Sequence, residues 1–230
     1  MTAPSARQPA SPGAASKPAS PGRPKDLAKG AAILDAAKRM FLQHGYERMS
    51  MDQIAAEAGV SKLTVYSHYG DKQTLFLEAV KAHCDQQLPL TLFEPSPGTP
   101  LRERLMEIAE AFHAMISSPE AVAGHRLMCT PQIADSALPT LFWEAGPKRI
   151  KDGFAALLQR RIKAGELEIG DVHRAAVQFF SLLKGEFHDR LIMGCGGDIT
   201  GTVEEHLNAS VDMFLRAYER RAPAAKARAS

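Results

Sequence analysis

From Leu27 onward, apolar residues recur at helical spacing almost throughout. No stretch alternates apolar and polar positions between turn pairs, as a half-buried strand does. The pattern predicts a first helix over 26–44, with Leu34, Ala37 and Phe41 on one face and Gly45 ending it. Ser50-Met51-Asp52-Gln53 has the form of a capping box, and Met49 and Ile54 are placed for a hydrophobic staple, so a second, short helix starts there and ends at Gly59. Ser61 caps a third helix over 62–69. Gly70 stops it, and Asp71 caps a fourth that runs through Leu75, Phe76 and Val80. Pro89, Pro95, Pro97 and Pro100 mark a linker. Amphipathic helices follow over 101–117, 120–129, 138–164, 172–193 and 203–221, with a kink or division expected at Gly146-Pro147 and a loop at Gly194-Cys195-Gly196-Gly197. The fold class expected is all-α: an N-terminal three-helix helix-turn-helix domain (25–70), followed by a helical-bundle ligand-binding and dimerisation domain (71–221).

Residues 1–24 repeat Pro, Ala, Ser and Gly around Arg7, Lys17 and Arg23. They cannot bury enough apolar surface to order themselves, so they read as a disordered arm, and 222–230 as a disordered tail. The composition, 45% hydrophobic and 23% charged over 230 residues, is that of a soluble globular protein. No apolar run suits a membrane span or a signal peptide, so a cytoplasmic protein with no membrane partner is expected. Cys84, Cys129 and Cys195 are too few and too scattered for a disulfide framework, and without a C-x-x-C pair no zinc site is expected. Net charge is only +2, but its distribution is uneven: residues 1–84 carry +4 and residues 85–230 carry −2. A basic front half ahead of a slightly acidic remainder fits a small DNA-binding module on a larger domain.

Two short helices joined by a tight turn at Gly59 form helix-turn-helix geometry, in which the second helix enters the major groove. Val60, Val65 and Tyr69 are spaced to face a core. Lys62, Thr64, Tyr66, Ser67 and His68 fall largely on the other side, with side chains able to reach bases or phosphates. Lys72 sits in the first turn of the next helix, where a cation opposes the helix dipole unless a phosphate is near.

The run Ile33-Leu34-Asp35-Ala36-Ala37, Phe41, Gly45-Tyr46, Ser50 to Ala55, Ala58 to Tyr69, Lys72 and Leu75-Phe76 resembles the DNA-binding domain of TetR/AcrR-type regulators. Tyr69 stands where that family usually has Phe, a change tolerable if the hydroxyl reaches the surface. Glu144 to Pro147, Ala164 to Leu167 and Phe214 to Tyr218 are similar to the C-terminal domains of AefR-like members. The resemblance implies an all-α homodimer whose last two helices form a four-helix bundle with the partner's. It also implies that Ser50, Ser61, Lys62, Leu63, Thr64, Tyr66, Ser67, His68 and Lys72 lie at DNA-contact positions. The function expected is a transcriptional regulator: a repressor released from a palindromic double-stranded operator by a small, largely apolar effector.

Phe112, His113, Met115, His125, Met128, Trp143 and Phe154 are the residues expected to line the effector site, with the histidines as polar anchors. The wide apolar faces over 172–193 and 203–221, among them Ala176, Phe179, Phe180, Leu183, Phe187, Leu191, Leu207, Val211, Phe214 and Leu215, are expected to need cover from a second copy. The alternatives are a non-responsive architectural DNA-binding dimer and a helical-bundle metalloenzyme. The second rests on the single Glu110-Ala111-Phe112-His113, which has no second copy. No nucleophile elbow, P-loop or dinucleotide fingerprint is present, so no enzyme activity and no cofactor are expected.

Overall fold

The structure, a computed structural model, describes residues 24–95, 98–195 and 201–220. The arm and tail read from the sequence lie outside the described residues, apart from Pro24. Among the described residues every regular element is helical: α1 (Pro24–His44), α2 (Met51–Glu57), α3 (Lys62–Tyr69), α4 (Lys72–Gln87), α5 (Leu101–Ser117), α6 (Pro119–Met128), α7 (Pro131–Ala134), α8 (Leu138–Trp143), α9 (Arg149–Lys163), α10 (Val172–Met193) and α11 (Val203–Tyr218). The one extended pairing described is an isolated antiparallel bridge between Leu167 and Glu219. No described helix is long and apolar enough to cross a membrane.

The local signals explain the front of the chain. Ser50 caps α2 as one half of a capping box: its hydroxyl accepts from the Gln53 amide, and its own amide donates to Gln53 Oε1 at 2.9 Å. Gly59, at φ +65°, makes the tight turn in a conformation that a side chain would strain. Ile33, Ala36, Ala37, Phe41, Ile54, Ala55 and Val65 form a buried core that Leu75 and Phe76 of α4 complete. That core does not stop at the end of the three-helix unit. Ile133 and Leu138 are buried in it, and Leu127, Met128 and Phe142 pack against it.

A second core, around Leu105, Ile108, Phe112, Phe154, Leu158, Phe179, Phe180, Leu183, Val211 and Phe214, joins α5, α9, α10 and α11. The apolar faces of the last two helices are therefore covered largely by their own chain. Phe179, Phe180, Leu183, Leu207, Val211 and Phe214 are buried before any partner arrives. This corrects the expectation that a second copy must cover them, because α5 and α9 supply the missing surface. α4 reaches both cores, with Leu75 and Phe76 in the first and Leu88, just beyond its end, in the second.

Three departures from regular helix matter. The expected break at Gly146-Pro147 is a π-helical turn over 144–148 that joins α8 to α9 without leaving helical dihedrals. The proline lacks an amide to donate, and the wider turn absorbs the missing bond. The proline-marked linker holds a 3₁₀ turn over 90–93, and Phe93 is buried against α9. Finally, α10 is not continuous. Gly185 sits at φ 51°, ψ −166°, and a Cβ there would lie 2.6 Å from His206 Cε1. α11 satisfies carbonyls that the break leaves behind: His206 Nε2 donates to the Leu183 carbonyl at 3.2 Å, and the Ser210 hydroxyl to the Leu182 carbonyl at 3.4 Å.

Candidate nucleic-acid interface and the cavity behind it

α3 projects from the three-helix unit with its N-terminal turn exposed. Ser61 caps it, accepting from the Thr64 amide at 3.2 Å while its hydroxyl pairs with Thr64 Oγ1 at 2.8 Å. Val65 is fully buried beneath it, whereas Leu63 is 79% and Tyr66 41% exposed. Two large apolar or aromatic side chains held in solvent on a short helix have no folding purpose, and they suit contact with base edges or sugar. Ser67 is exposed beside them, its hydroxyl returned to the Thr64 carbonyl. Lys62 is exposed and paired with Asp52 at 2.9 Å. An exposed, solvent-screened pair of this kind adds little to stability and is easily exchanged for a phosphate.

Two expected DNA contacts are placed differently. His68 turns toward α1, its Nε2 2.9 Å from Asp26 Oδ1, and its ring is mostly buried, so it does not face the exposed side of α3. The reason is helical phase: His68 adjoins Tyr69 on the side of α3 that packs on α1 near Gly30. Lys72 is held at home. Its Nζ donates to the Tyr46 carbonyl at 3.0 Å and lies 4.2 Å from the centre of the Tyr46 ring, which offsets the unfavourable dipole without a phosphate. Arg48, which the sequence reading passed over, is exposed just before the α2 cap and makes no ion pair among the described residues. The signal was a basic residue next to a helix N-terminus.

The Tyr69 hydroxyl turns back onto the three-helix core. It donates to the Gly30 carbonyl of α1 at 2.9 Å, tying α3 to α1, and burial raises its pKa. Tyr69→Phe should therefore cost about 1 kcal/mol of stability, a typical net hydrogen bond. Urea unfolding would show it, and an unchanged midpoint would mean the bond contributes nothing.

Behind the three-helix unit lies a cavity of about 730 Å³. Its walls come from α1 and α4 on one side (Phe41, Phe76, Val80) and from α5, α6, α8, α9 and α10 on the other (Phe112, Met115, Met128, Phe142, Ile150 and Phe180 among them). Of the residues expected to line an effector site, Phe112, Met115, His125, Met128 and Trp143 are there. Trp143 stands half in solvent, 47% exposed, with Lys151 Nζ 4.0 Å from its ring centre. His113 and Phe154 are not in this lining, and both assignments are corrected. His113 lies one residue round the helix from Phe112 and packs on Phe187, with ring centres 4.7 Å apart. Phe154 is fully buried and stacks on Phe179 at 4.6 Å in the second core. The sequence reading also missed the basic part of the wall, Lys151 and Lys184 with His188, because charges on an amphipathic helix read as a solvent face.

A short exposed helix held on a three-helix core by a capped glycine turn, with a helical domain behind it, is the arrangement of a DNA-binding transcriptional regulator. Residues 33–79 match the tetR family of bacterial regulatory proteins, and residues 103–220 match the AefR-like transcriptional repressor C-terminal domain. The chain belongs to the TetR family. Among curated proteins it is 33% identical over 105 residues to the HTH-type transcriptional activator FasR of Mycolicibacterium smegmatis, a match covering 46% of this chain and 47% of that one, so it spans about half that relative's length. It is 29% identical over 162 residues to the HTH-type transcriptional regulator SrpR of Pseudomonas putida, covering 69% of this chain and 73% of that protein. Among solved structures, a TetR-family regulator from Mesorhizobium loti aligns with a TM-score of 0.69 at 28% identity, covering 86% of this chain and all of that one. The flavonoid-responsive regulator FrrA aligns with a TM-score of 0.66 at 31% identity, covering 84% of this chain and 98% of that one.

Proposed function

We propose that this TetR-family regulator is a repressor that binds a palindromic operator as a dimer and is released when a small, largely apolar molecule fills the 730 Å³ cavity. The observation that carries the reading is the cavity's composition: one continuous lining takes residues from α1 and α4, which build the DNA-binding core, and from α5, α6, α8, α9 and α10 behind them. A guest there touches both units at once. To release DNA it must prefer the arrangement that cannot span two half-sites, because only differential affinity shifts the balance. A coupling of about 1–3 kcal/mol, roughly 5- to 150-fold in operator affinity, is ordinary for such a device. That FrrA is named for a response to flavonoids supports an effector-gated reading of this fold. The matched C-terminal domain, described as that of a repressor, supports the sign. The site of action is the cytoplasm, where the operator is.

The test is a reporter with an operator, selected in vitro, placed behind its promoter. The protein should lower expression, and compounds that raise its melting temperature should include some that restore it. Expression that rises with the protein would make it an activator. Expression that no stabilising compound restores would leave a non-responsive DNA-binding dimer.

Dimerisation is proposed through α10 and α11. The apolar side chains left over for a partner there include Met213 and Val203, both exposed, and the half-buried Phe187 and Leu191. Sedimentation at micromolar concentration should give a dimer that Met213→Glu converts toward monomer; a monomeric wild type would refute the arrangement. On DNA, Lys62→Ala should make the salt dependence shallower by about one phosphate contact per protomer, and Lys72→Ala by the same or less, since Tyr46 already engages its ammonium. Unchanged slopes in both would remove these lysines from the phosphate interface.

A further inference from the structure

The cavity is not uniformly apolar. Along α10, Ser181, Lys184 and His188 face into it at helical spacing, and they meet His125 of α6 and Lys151 of α9. His188 is only 5% exposed, and neither of its ring nitrogens has a hydrogen-bond partner. The His125 and His188 rings stand edge to face at 5.4 Å. Neither Lys151 nor Lys184 forms an ion pair among the described residues. The carboxylates that act on them do so without a salt bridge: Asp152 is bonded to Lys148 at 2.9 Å, and Asp189, which also acts on His125 and His188, is exposed on α10. The other basic lining residues are already engaged: Lys38 with Asp35, and Arg126 with the carbonyls of Leu191 and Ile192. Glu120 is the only carboxylate in the lining.

We infer that the cavity takes an organic anion: an apolar body with one acidic group, seated between Lys151, Lys184 and His188. This rests on the cavity being the effector site and specifies what enters it. Buried charge without a partner is costly, and a fold keeps it where a ligand supplies the opposite charge. The two lysines stand in that position, and His188 beside them is held neutral. Burial, and repulsion by Lys184, bring Lys151 down to about 8; burial lowers Lys184; burial, Lys184 and His125 bring His188 down to about 4. An anionic head gives the Lys151 and Lys184 ammoniums the opposite charge they lack and can also accept an N–H from neutral His188; a neutral head can satisfy His188 but leaves both lysines uncompensated. The ring surfaces of Phe112, Phe142 and Phe180 face the apolar body. The Trp143 ring, covered by the Lys151 ammonium, sits beside the proposed head.

The test uses two dyes with the same ring system, 1-anilinonaphthalene-8-sulfonate and N-phenyl-1-naphthylamine, which lacks the sulfonate. Binding is followed by dye fluorescence and by energy transfer from Trp143, the only tryptophan. The sulfonate should bind at least about tenfold more tightly, the worth of a charge-assisted contact. Lys151→Met and Lys184→Met, singly and together, should remove that preference and leave the neutral dye within about threefold. A neutral dye bound as tightly by the wild type overturns the inference and leaves the cavity reading standing. A preference that survives in folded double variant places the anion elsewhere and overturns it too. If neither dye quenches Trp143, the cavity is not a ligand site and both readings fall. The comparison between dyes needs no variant, so it holds even if a substitution prevents folding.

Discussion

Phe154→Ala is expected to lower folding stability by about 3–5 kcal/mol. Phe154 is fully buried at the meeting point of α9, α10 and α11, stacked on Phe179 at 4.6 Å and edge-on to Phe180 at 5.2 Å, with Phe93 and Phe214 each at 6.2 Å. Truncation leaves a void that four rigid rings cannot close, so the lost transfer energy and the cavity term add. Domains of this kind are stable by only about 5–15 kcal/mol, so the loss is a large fraction of the total. Urea unfolding measures it. A loss under about 1 kcal/mol, together with weaker dye binding, would return Phe154 to the cavity wall and refute its assignment to the core.

Gly124→Phe should weaken ligand binding strongly without harming the fold. Gly124 lies inside α6 and lines the cavity, and a Cβ built on it would find only Phe142 Cε2, at 4.0 Å. The added ring therefore projects into open space that a ligand needs. Phenylalanine is also a better helix former than glycine, by roughly a few tenths of a kcal/mol, so the melting temperature should hold or rise. Neutral-dye affinity should fall by more than about tenfold, which is 1.4 kcal/mol of binding. Operator binding should persist, giving a regulator that no longer responds. Undiminished dye binding would show that the dye, and with it the proposed effector, sits elsewhere.

Short-range signals carried most of what the sequence revealed. The Ser50 capping box, the Gly59 turn, the Ser61 and Asp71 caps and the stop at Gly70 each depend on residues within about four positions, and each is formed as read. The Gly146-Pro147 break was legible for the same reason, though not its π-helical form. What stayed hidden depends on distant neighbours. Gly185 reads as an ordinary glycine in an amphipathic helix until His206 of α11 occupies the place of its side chain. Periodicity offers Phe112, His113 and Phe154 alike as interior residues, because α5 and α9 pack on more than one neighbour; only the packing decides which face meets the cavity. His68 was misplaced by a single helical step. Lys151, Lys184 and His188 were missed because a sequence cannot separate a charge turned to solvent from one turned into a cavity.

On the proposed function, α3 reads DNA sequence as one half of a two-fold pair. Selection of bound fragments from a random DNA pool tests it most directly. An inverted repeat should be enriched, its half-sites centred about 34–36 Å apart or a multiple of that. The enrichment should disappear when Lys62, Leu63, Tyr66 and Ser67 are replaced together by alanine, while urea unfolding of that variant stays close to wild type, since all four side chains are exposed. No enriched sequence, or the same sequence enriched by the stripped helix, would contradict it.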